Sequence, residues 1–218
     1  MLTEIAKAIE AAGGKAIVYT ADVADTAAMA NAAKSFTDQC GGVDLVVAGA
    51  GIGIGHGTLQ GKSEPIAGLF RVNVIGVTNT IVPFVPVMIA QRSGTLCALG
   101  SVAGQHGLPG RAAYSASKAA VVAFMDALRL ELQGSGVHAM TLAPGFVKTP
   151  LTDKLPGKLP FLIGVDEAVA RMTAAIERRE KTFMFPWQAR ILGTVLKVAP
   201  DALVQRLSPP PRPADPPS

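Results

Sequence analysis

Apolar runs and amphipathic stretches alternate along this chain almost to its end. Residues 2–12 place apolar side chains at helical spacing and stop at Gly13-Gly14, a helix-termination signal. The apolar run AIVYT (16–20) predicts a strand ending in Asp22-Val23, and residues 25–40 predict a second helix. VDLVVAGAG (43–51) predicts a buried strand that runs into glycines. Residues 64–91 predict a long helical region that Pro83 and Pro86 bend or break. GTLCALG (94–100) is the next predicted strand, followed by a helix over roughly 112–133. After Gly134 and Gly136, VHAMTLAP (137–144) predicts a strand, then come a helix at 166–179 and a short strand, TFMF (182–185). PWQARILGTVLKVAPDALVQRL (186–207) predicts a further amphipathic helix or two, and SPPPRPADPPS (208–218) a disordered, proline-rich tail. No internal repeat interrupts this plan, so residues 1–207 are expected to form one domain.

Strands alternating with helices imply parallel βαβ units and an α/β, doubly wound sheet with helices on both faces. Active groups in such a sheet collect at the carboxyl ends of the strands. Asp22, the glycines after Val47, Ser101 and Pro144-Gly145 all fall at predicted strand ends. Four separate segments are therefore expected to bring residues to one edge.

Composition narrows the class further. The 218 residues are 49% hydrophobic and rich in alanine and glycine, which suits close packing of helices on a sheet. Net charge is only +4, and the basic cluster Arg171, Arg178, Arg179, Lys181, Arg190 and Lys197 reads as solvated helix faces rather than a nucleic-acid or lipid surface. Cys40 and Cys97 can form no disulfide framework and lack metal-site spacing, which points to a reduced, cytoplasmic compartment. The start MLTEIAKAIEAAGG is amphipathic and does not resemble a signal peptide. No uninterrupted apolar run is expected to span a bilayer, since TNTIVPFVPVMIA is short and carries two prolines.

Candidate chemistry centres on Tyr114 and Lys118. They lie at i and i+4 on a predicted helix, which puts their Cβ atoms roughly 5–6 Å apart on one face. An ammonium beside a phenol favours the phenolate and is expected to lower its pKa from about 10. Other motifs fail. VVAGAGIGIGHG does not satisfy G-x-G-x-x-G, because Ile54 and His56 stand where the third glycine would be. Ser115 and Lys118 spell S-x-x-K, but neither S-D-N nor K-T-G occurs. Leu99 removes Ser101 from a G-x-S-x-G elbow. His56, His106 and His138 read as surface or packing residues, with His106 an occasional candidate for a substrate pocket.

GSVAG around Ser101, YSASK from Tyr114 to Lys118, Asn73 in FRVNVIG, the strand-end Asp22-Val23 and APGFVKT (143–149) occur in the order and spacing of one known family. From Asp22 to Thr149 the chain resembles the short-chain dehydrogenase/reductase family of the classical type. The resemblance implies a Rossmann-like doubly wound sheet and an oxidoreductase that interconverts a secondary alcohol and a ketone by hydride transfer. Tyr114 would exchange the proton, Lys118 would hold the phenolate accessible and bind the nicotinamide ribose, and Ser101 would orient the substrate oxygen. Asn73 would anchor a water linking Lys118 to solvent. Asp22 and Val23 would contact the adenine; Ala48, Gly49, Ala50 and Gly51 would line the cofactor; Pro144, Gly145, Val147 and Thr149 would hold its nicotinamide end.

Two departures from the family pattern carry expectations. Ala48-Gly49-Ala50-Gly51 replaces the usual Asn-Asn-Ala-Gly, and the lost side-chain hydrogen bonds are expected to loosen the cofactor or the neighbouring strand. The family's first strand, glycine-rich turn, helix and second strand would all precede MLTEIAKAIEAAGG, so the sheet is expected to lack its first two strands and the chain to be incomplete at its amino end. AIVYT would then slide against VDLVVA or stay loose. The implied cofactor is NAD or NADP, because the residue that distinguishes them belongs to that preceding stretch. The implied substrate is a small alcohol or ketone, apolar by the leucines and Phe161 of a loop between Thr149 and Asp166 that Pro156, Gly157 and Pro160 break. A homo-oligomer is expected, with residues 186–207 packing between subunits in preference to covering the substrate mouth or resting on a membrane. The competing reading is a truncated, catalytically impaired member that acts as a binding or interaction protein.

Overall fold

The computed structural model describes residues 2–53, 61–153, 155, 158–202 and 204. The proline-rich tail, Ile54, His56, Pro156 and Gly157 lie outside the described residues. Helices α1 (Leu2–Ala11) and α2 (Thr26–Cys40) precede strand β1 (Leu45–Ala48). A helical run then passes through α3 (Glu64–Phe70), a π-helical segment (Arg71–Ile75), α4 (Gly76–Ile81), a 3-10 turn (Val82–Phe84) and α5 (Val85–Gln91). Next come β2 (Gly94–Leu99), a 3-10 turn (Val102–Gly104), α6 (Ala112–Glu131), β3 (Val137–Pro144), α7 (Val165–Glu177), β4 (Thr182–Phe185) and α8 (Trp187–Val198).

The four strands form one parallel sheet in the order β1-β2-β3-β4. One face carries the larger core: Val46, Ala48, Leu96, Ala98 and Ala139 of the strands meet Val77, Ile81 and Met88 of the long helical run and Val121, Met125 and Leu128 of α6. The other face packs Cys97, Met140 and Leu142 against Met172, Ala175 and Ile176 of α7. Helices therefore cover both faces at the centre of the sheet. At β1 the second face is open, with Leu45 43% and Val47 45% exposed.

AIVYT is not a strand. Residues 14–22 run without regular structure, and β1 pairs only with β2 among the described residues. A β-strand exists through its ladder, and one short apolar run without a partner gains nothing from adopting that form. The segment leads to a well-anchored site nonetheless. Asp22 Oδ1 accepts the Ala24 N–H at 2.9 Å, and Asn79 Nδ2 donates to the Val23 carbonyl at 2.9 Å. Gly76 makes room for this: a Cβ there would lie 2.7 Å from Val23 Cγ2. The Asp25 carboxylate then caps α2 by accepting the Ala28 N–H at 3.0 Å, and Gly41 closes that helix in the left-handed region at φ 75°.

The prolines do not break the run from Glu64 to Gln91. Pro83 and Pro86 sit where the 3-10 turn and the first turn of α5 tolerate a missing N–H, so the helix continues. By length and composition this run is long enough to cross a membrane, contrary to the expectation from its sequence. Its inner face is spent on the protein, with Leu69, Asn73, Val77, Ile81 and Met88 buried. Two cations of the basic cluster also have partners: Arg171 pairs with Glu167 and Arg178 with Glu180, each at 2.8 Å on exposed surface.

Candidate active site

The carboxyl end of β2 is the centre of the site. Gly100 fits there because a Cβ would lie 2.8 Å from Thr141 Cγ2 of β3. Ser101 follows in extended conformation, and its Oγ accepts the Ala103 N–H at 3.1 Å, which starts the 3-10 turn. Gly104 ends that turn directly on α6. A Cβ at 104 would meet the Lys118 carbonyl carbon at 2.8 Å, its oxygen at 2.9 Å and Ala119 N at 3.0 Å. Only glycine permits this backbone-on-backbone approach, which sets the separation of Ser101 from the Tyr114–Lys118 turn.

On α6, Tyr114 and Lys118 share a face as their spacing predicted, with Lys118 Nζ 5.9 Å from the centre of the Tyr114 ring. The electrostatics differ from the expectation. Burial raises the Tyr114 pKa above its ordinary value, only partly offset by a hydrogen bond with Ser101 and by the charge of Arg111. Lys118 does not draw the phenol down, because burial also disfavours its own charge and lowers its pKa to about 8. Its ammonium is held by the Leu99 carbonyl at 2.8 Å, at the last residue of β2.

Asn73 is fully buried in the π-helical segment, a local geometry that recurs at functional sites. Its side chain does not end in a free amide. Oδ1 accepts the Ile52 N–H at 2.8 Å, while Nδ2 donates to the Ile52 carbonyl at 2.9 Å and to Ser117 Oγ at 3.2 Å. The loop after β1 is thus held from outside, although Ala48 and Ala50 bring no polar side chain to it. Gly49, Ala50 and Gly51 are exposed and Ala48 is buried. A Cβ on Gly51 would stand 3.5 Å from Asn73 Oδ1 and 3.6 Å from Lys118 Nζ, so this loop abuts the lysine.

The end of β3 completes the edge. Gly145 N donates to the Phe185 carbonyl at 2.7 Å, and a Cβ on Gly145 would lie 2.9 Å from Ala189 Cβ at the start of α8. Val147 bridges Ile163, with Lys148 N donating to the Ile163 carbonyl at 2.9 Å. Thr152 Oγ1 donates to the Val147 carbonyl at 2.7 Å and accepts the Thr149 N–H at 2.9 Å. Pro144, Gly145, Val147 and Thr149 therefore sit on a segment hooked by Ile163 and Thr152, two residues whose part no local sequence signal announces.

Neither Ser117 nor Arg111 carries a local sequence signal, and neither does the part played by the Leu99 carbonyl. Ser117 and Leu99 act through a buried bond and a backbone carbonyl, which leave no residue-type signature. His138 is a packing residue, with Nε2 3.2 Å from the Glu180 carbonyl. His106 is half-buried in the loop between Ser101 and Tyr114.

A serine at a strand end, a tyrosine and lysine one turn apart, and a buried amide that grips the neighbouring loop thus meet at one edge of the parallel sheet. Residues 1–159 match the family model described as short chain dehydrogenase, and the chain belongs to that family. It is 38% identical over 197 residues to an uncharacterised oxidoreductase of Myxococcus xanthus, covering 89% of this chain and 77% of that protein. It is 34% identical over 157 residues to a 3-oxoacyl-(acyl-carrier-protein) reductase of Thermotoga maritima, covering 72% of this chain and 64% of that enzyme. Among solved structures, a short-chain dehydrogenase/reductase from Burkholderia phymatum in complex with NAD has the same fold, with a TM-score of 0.81 at 24% identity over 100% of this chain and 85% of that one. A short-chain dehydrogenase from Burkholderia cenocepacia in complex with NADP gives a TM-score of 0.75 at 26% identity, covering 87% and 77%.

Proposed function

We propose that this chain interconverts a secondary alcohol and a ketone with NAD or NADP, using Tyr114 as the proton donor and acceptor. The observation that carries the reading is the convergence of Ser101, Tyr114 and Lys118 at the end of β2, beside a loop that Asn73 holds. Tyr114 gives its phenolic proton to the carbonyl oxygen in reduction and takes it back in oxidation. A phenol kept neutral by burial, as here, is the form that donates. Ser101 holds the substrate oxygen beside the phenol. Lys118, whose Nζ donates to the Leu99 carbonyl at 2.8 Å, would hold a ribose hydroxyl of the bound cofactor. Positioned acid–base groups of this kind contribute on the order of 10²–10⁴ in rate.

The residues present fit a nicotinamide cofactor, which supplies the hydride. The absence of any side chain at Gly51 opens the approach to Lys118 Nζ. Asp22 and Val23 would contact the adenine, Ala48 to Gly51 would line the cofactor, and Pro144, Gly145, Val147 and Thr149 would hold the nicotinamide end. The solved relatives named above, one with NAD and one with NADP, support the cofactor class. Exposed Leu151, Phe161 and Leu162 around the loop after β3 support an apolar substrate. The outward apolar face of α8, with Trp187, Ile191, Val195 and Val198 exposed, supports packing between subunits of a homo-oligomer.

The test is a panel of ketones and alcohols with both cofactors, followed by Tyr114→Phe. The variant is expected to lose hydride transfer by ~10²–10⁴ while binding the cofactor as the parent does. Retained turnover in Tyr114→Phe would refute the proton-transfer role.

A further inference from the structure

We propose that Ser117 is a positioning residue that fixes the loop after β1 against the Tyr114–Lys118 turn; its catalytic consequence rests on the hydride-transfer reading above. Ser117 is fully buried on α6. Its hydroxyl donates to the Tyr114 carbonyl at 2.8 Å and accepts from Asn73 Nδ2 at 3.2 Å. A serine bonded only to the carbonyl three residues back would be an ordinary helix feature. The bond from Asn73 makes it a junction, since Asn73 belongs to a separate element and grips a third.

That third element is Ile52. Asn73 takes both the N–H and the carbonyl of this residue, as a neighbouring strand would. Among the described residues, Ile52 has no other hydrogen bond. A continuous relay therefore runs from the Ile52 backbone through the Asn73 amide and the Ser117 hydroxyl to the Tyr114 carbonyl. The same loop carries Gly51, whose missing Cβ would touch both Asn73 Oδ1 and Lys118 Nζ. Ser117 thus sets how far the cofactor-lining backbone lies from the proposed proton donor, without itself reaching the cleft.

Removing the hydroxyl leaves one Nδ2 hydrogen of Asn73 buried and without its acceptor, so the amide must turn or its grip on Ile52 must loosen. The turn of α6 survives, because its backbone ladder does not use the serine. Displacement of reacting groups by about 1 Å can cost on the order of 10²-fold in rate.

The experiment compares Ser117→Ala and Ser117→Thr with the parent by amide hydrogen exchange and by steady-state kinetics. In Ser117→Ala the Ile52 amide should exchange at least about 10-fold faster, with the β2 and β3 amides unchanged. Its kcat should fall by roughly 10- to 100-fold at unchanged ketone KM, with the inflections of the pH profile kept, because Ser117 touches neither the phenol nor the ammonium. Ser117→Thr, which retains the hydroxyl, should recover most of both losses. Parental exchange at Ile52, kcat within about 2-fold of the parent, or an activity loss that only follows the melted fraction would each overturn the proposal. If Ser117→Ala does not fold, Ser117→Cys is judged by the same criteria. Should the parent turn over no carbonyl with either cofactor, the hydride-transfer reading fails, while exchange at Ile52 still decides the clamp.

Discussion

The centre of the sheet and the stretch from Leu2 to Thr20 are written in the same apolar vocabulary and behave in opposite ways. Leu96, Cys97 and Ala98 of β2 and Ala139 and Met140 of β3 are fully buried. In the amino-terminal stretch, α1 buries none of its residues, and Ile17 and Val18 are each 45% exposed. Both regions have apolar residues at the spacing of regular structure. They differ in what covers them: β2 has a strand on either side and helices on both faces. Among the described residues, by contrast, α1 buries nothing, and AIVYT has no strand beside it and meets α2 through the Tyr19 hydroxyl, bonded with Ser35 and Gln39. Amphipathic patterning states what a segment can bury, and only its neighbours determine whether it does.

This contrast can be tested from its strong end. Leu96→Ala removes a fully buried side chain between the sheet and its helices, and should cost roughly 2–5 kcal/mol in denaturant unfolding. A loss below about 1 kcal/mol would mean that the centre is no better packed than the periphery.

Burial of charge gives a sharper probe of the same region. Lys118 has a folded-state pKa of about 8 against 10.5 for the free group, so between those values the unfolded chain binds more protons. Stability contributed by this group must therefore rise with pH across that window. Lys118→Met lacks the charge and should be relatively more stable than the parent near pH 7. Its advantage should shrink, by up to about 3 kcal/mol, as pH rises from about 8 to 10.5. The comparison with the variant isolates this group from Cys97, whose thiol burial pushes up to about 12 and whose contribution has the opposite sign above pH 9. A constant gap across the window would show that the ammonium is solvated.

The smallest effect is expected at the amino end. Ile5→Ser alters a half-exposed side chain of α1 and should change unfolding free energy by no more than about 0.5 kcal/mol. A larger loss would reveal that α1 is covered in solution, and would erase the contrast between the two regions.

Much of the site could be read before the structure. Tyr114 and Lys118 were paired by helical spacing, and Ser101 was placed at a strand end by the apolar run before it. The glycines after Val47 and Pro144-Gly145 were placed at the same edge by the alternation of strands and helices. AIVYT has the local propensity of a strand, but a strand also needs a neighbour to pair with, which its sequence does not show. The electrostatics of the tyrosine follow the same logic: spacing shows a lysine nearby, but not the burial that opposes both charges.

Local spacing and residue type thus determined the α/β alternation, the strand ends that meet at one edge and the pairing of Tyr114 with Lys118, while the family resemblance added Asn73 and the roles expected of the set. The tertiary structure decided which apolar segments are covered, that Lys118 rests on the Leu99 carbonyl, and that Asn73 and Ser117 join the loop after β1 to α6. Those outcomes depend on contacts between residues far apart in the chain. Burial, hydrogen-bond partners and the pKa values they set exist only once such residues meet.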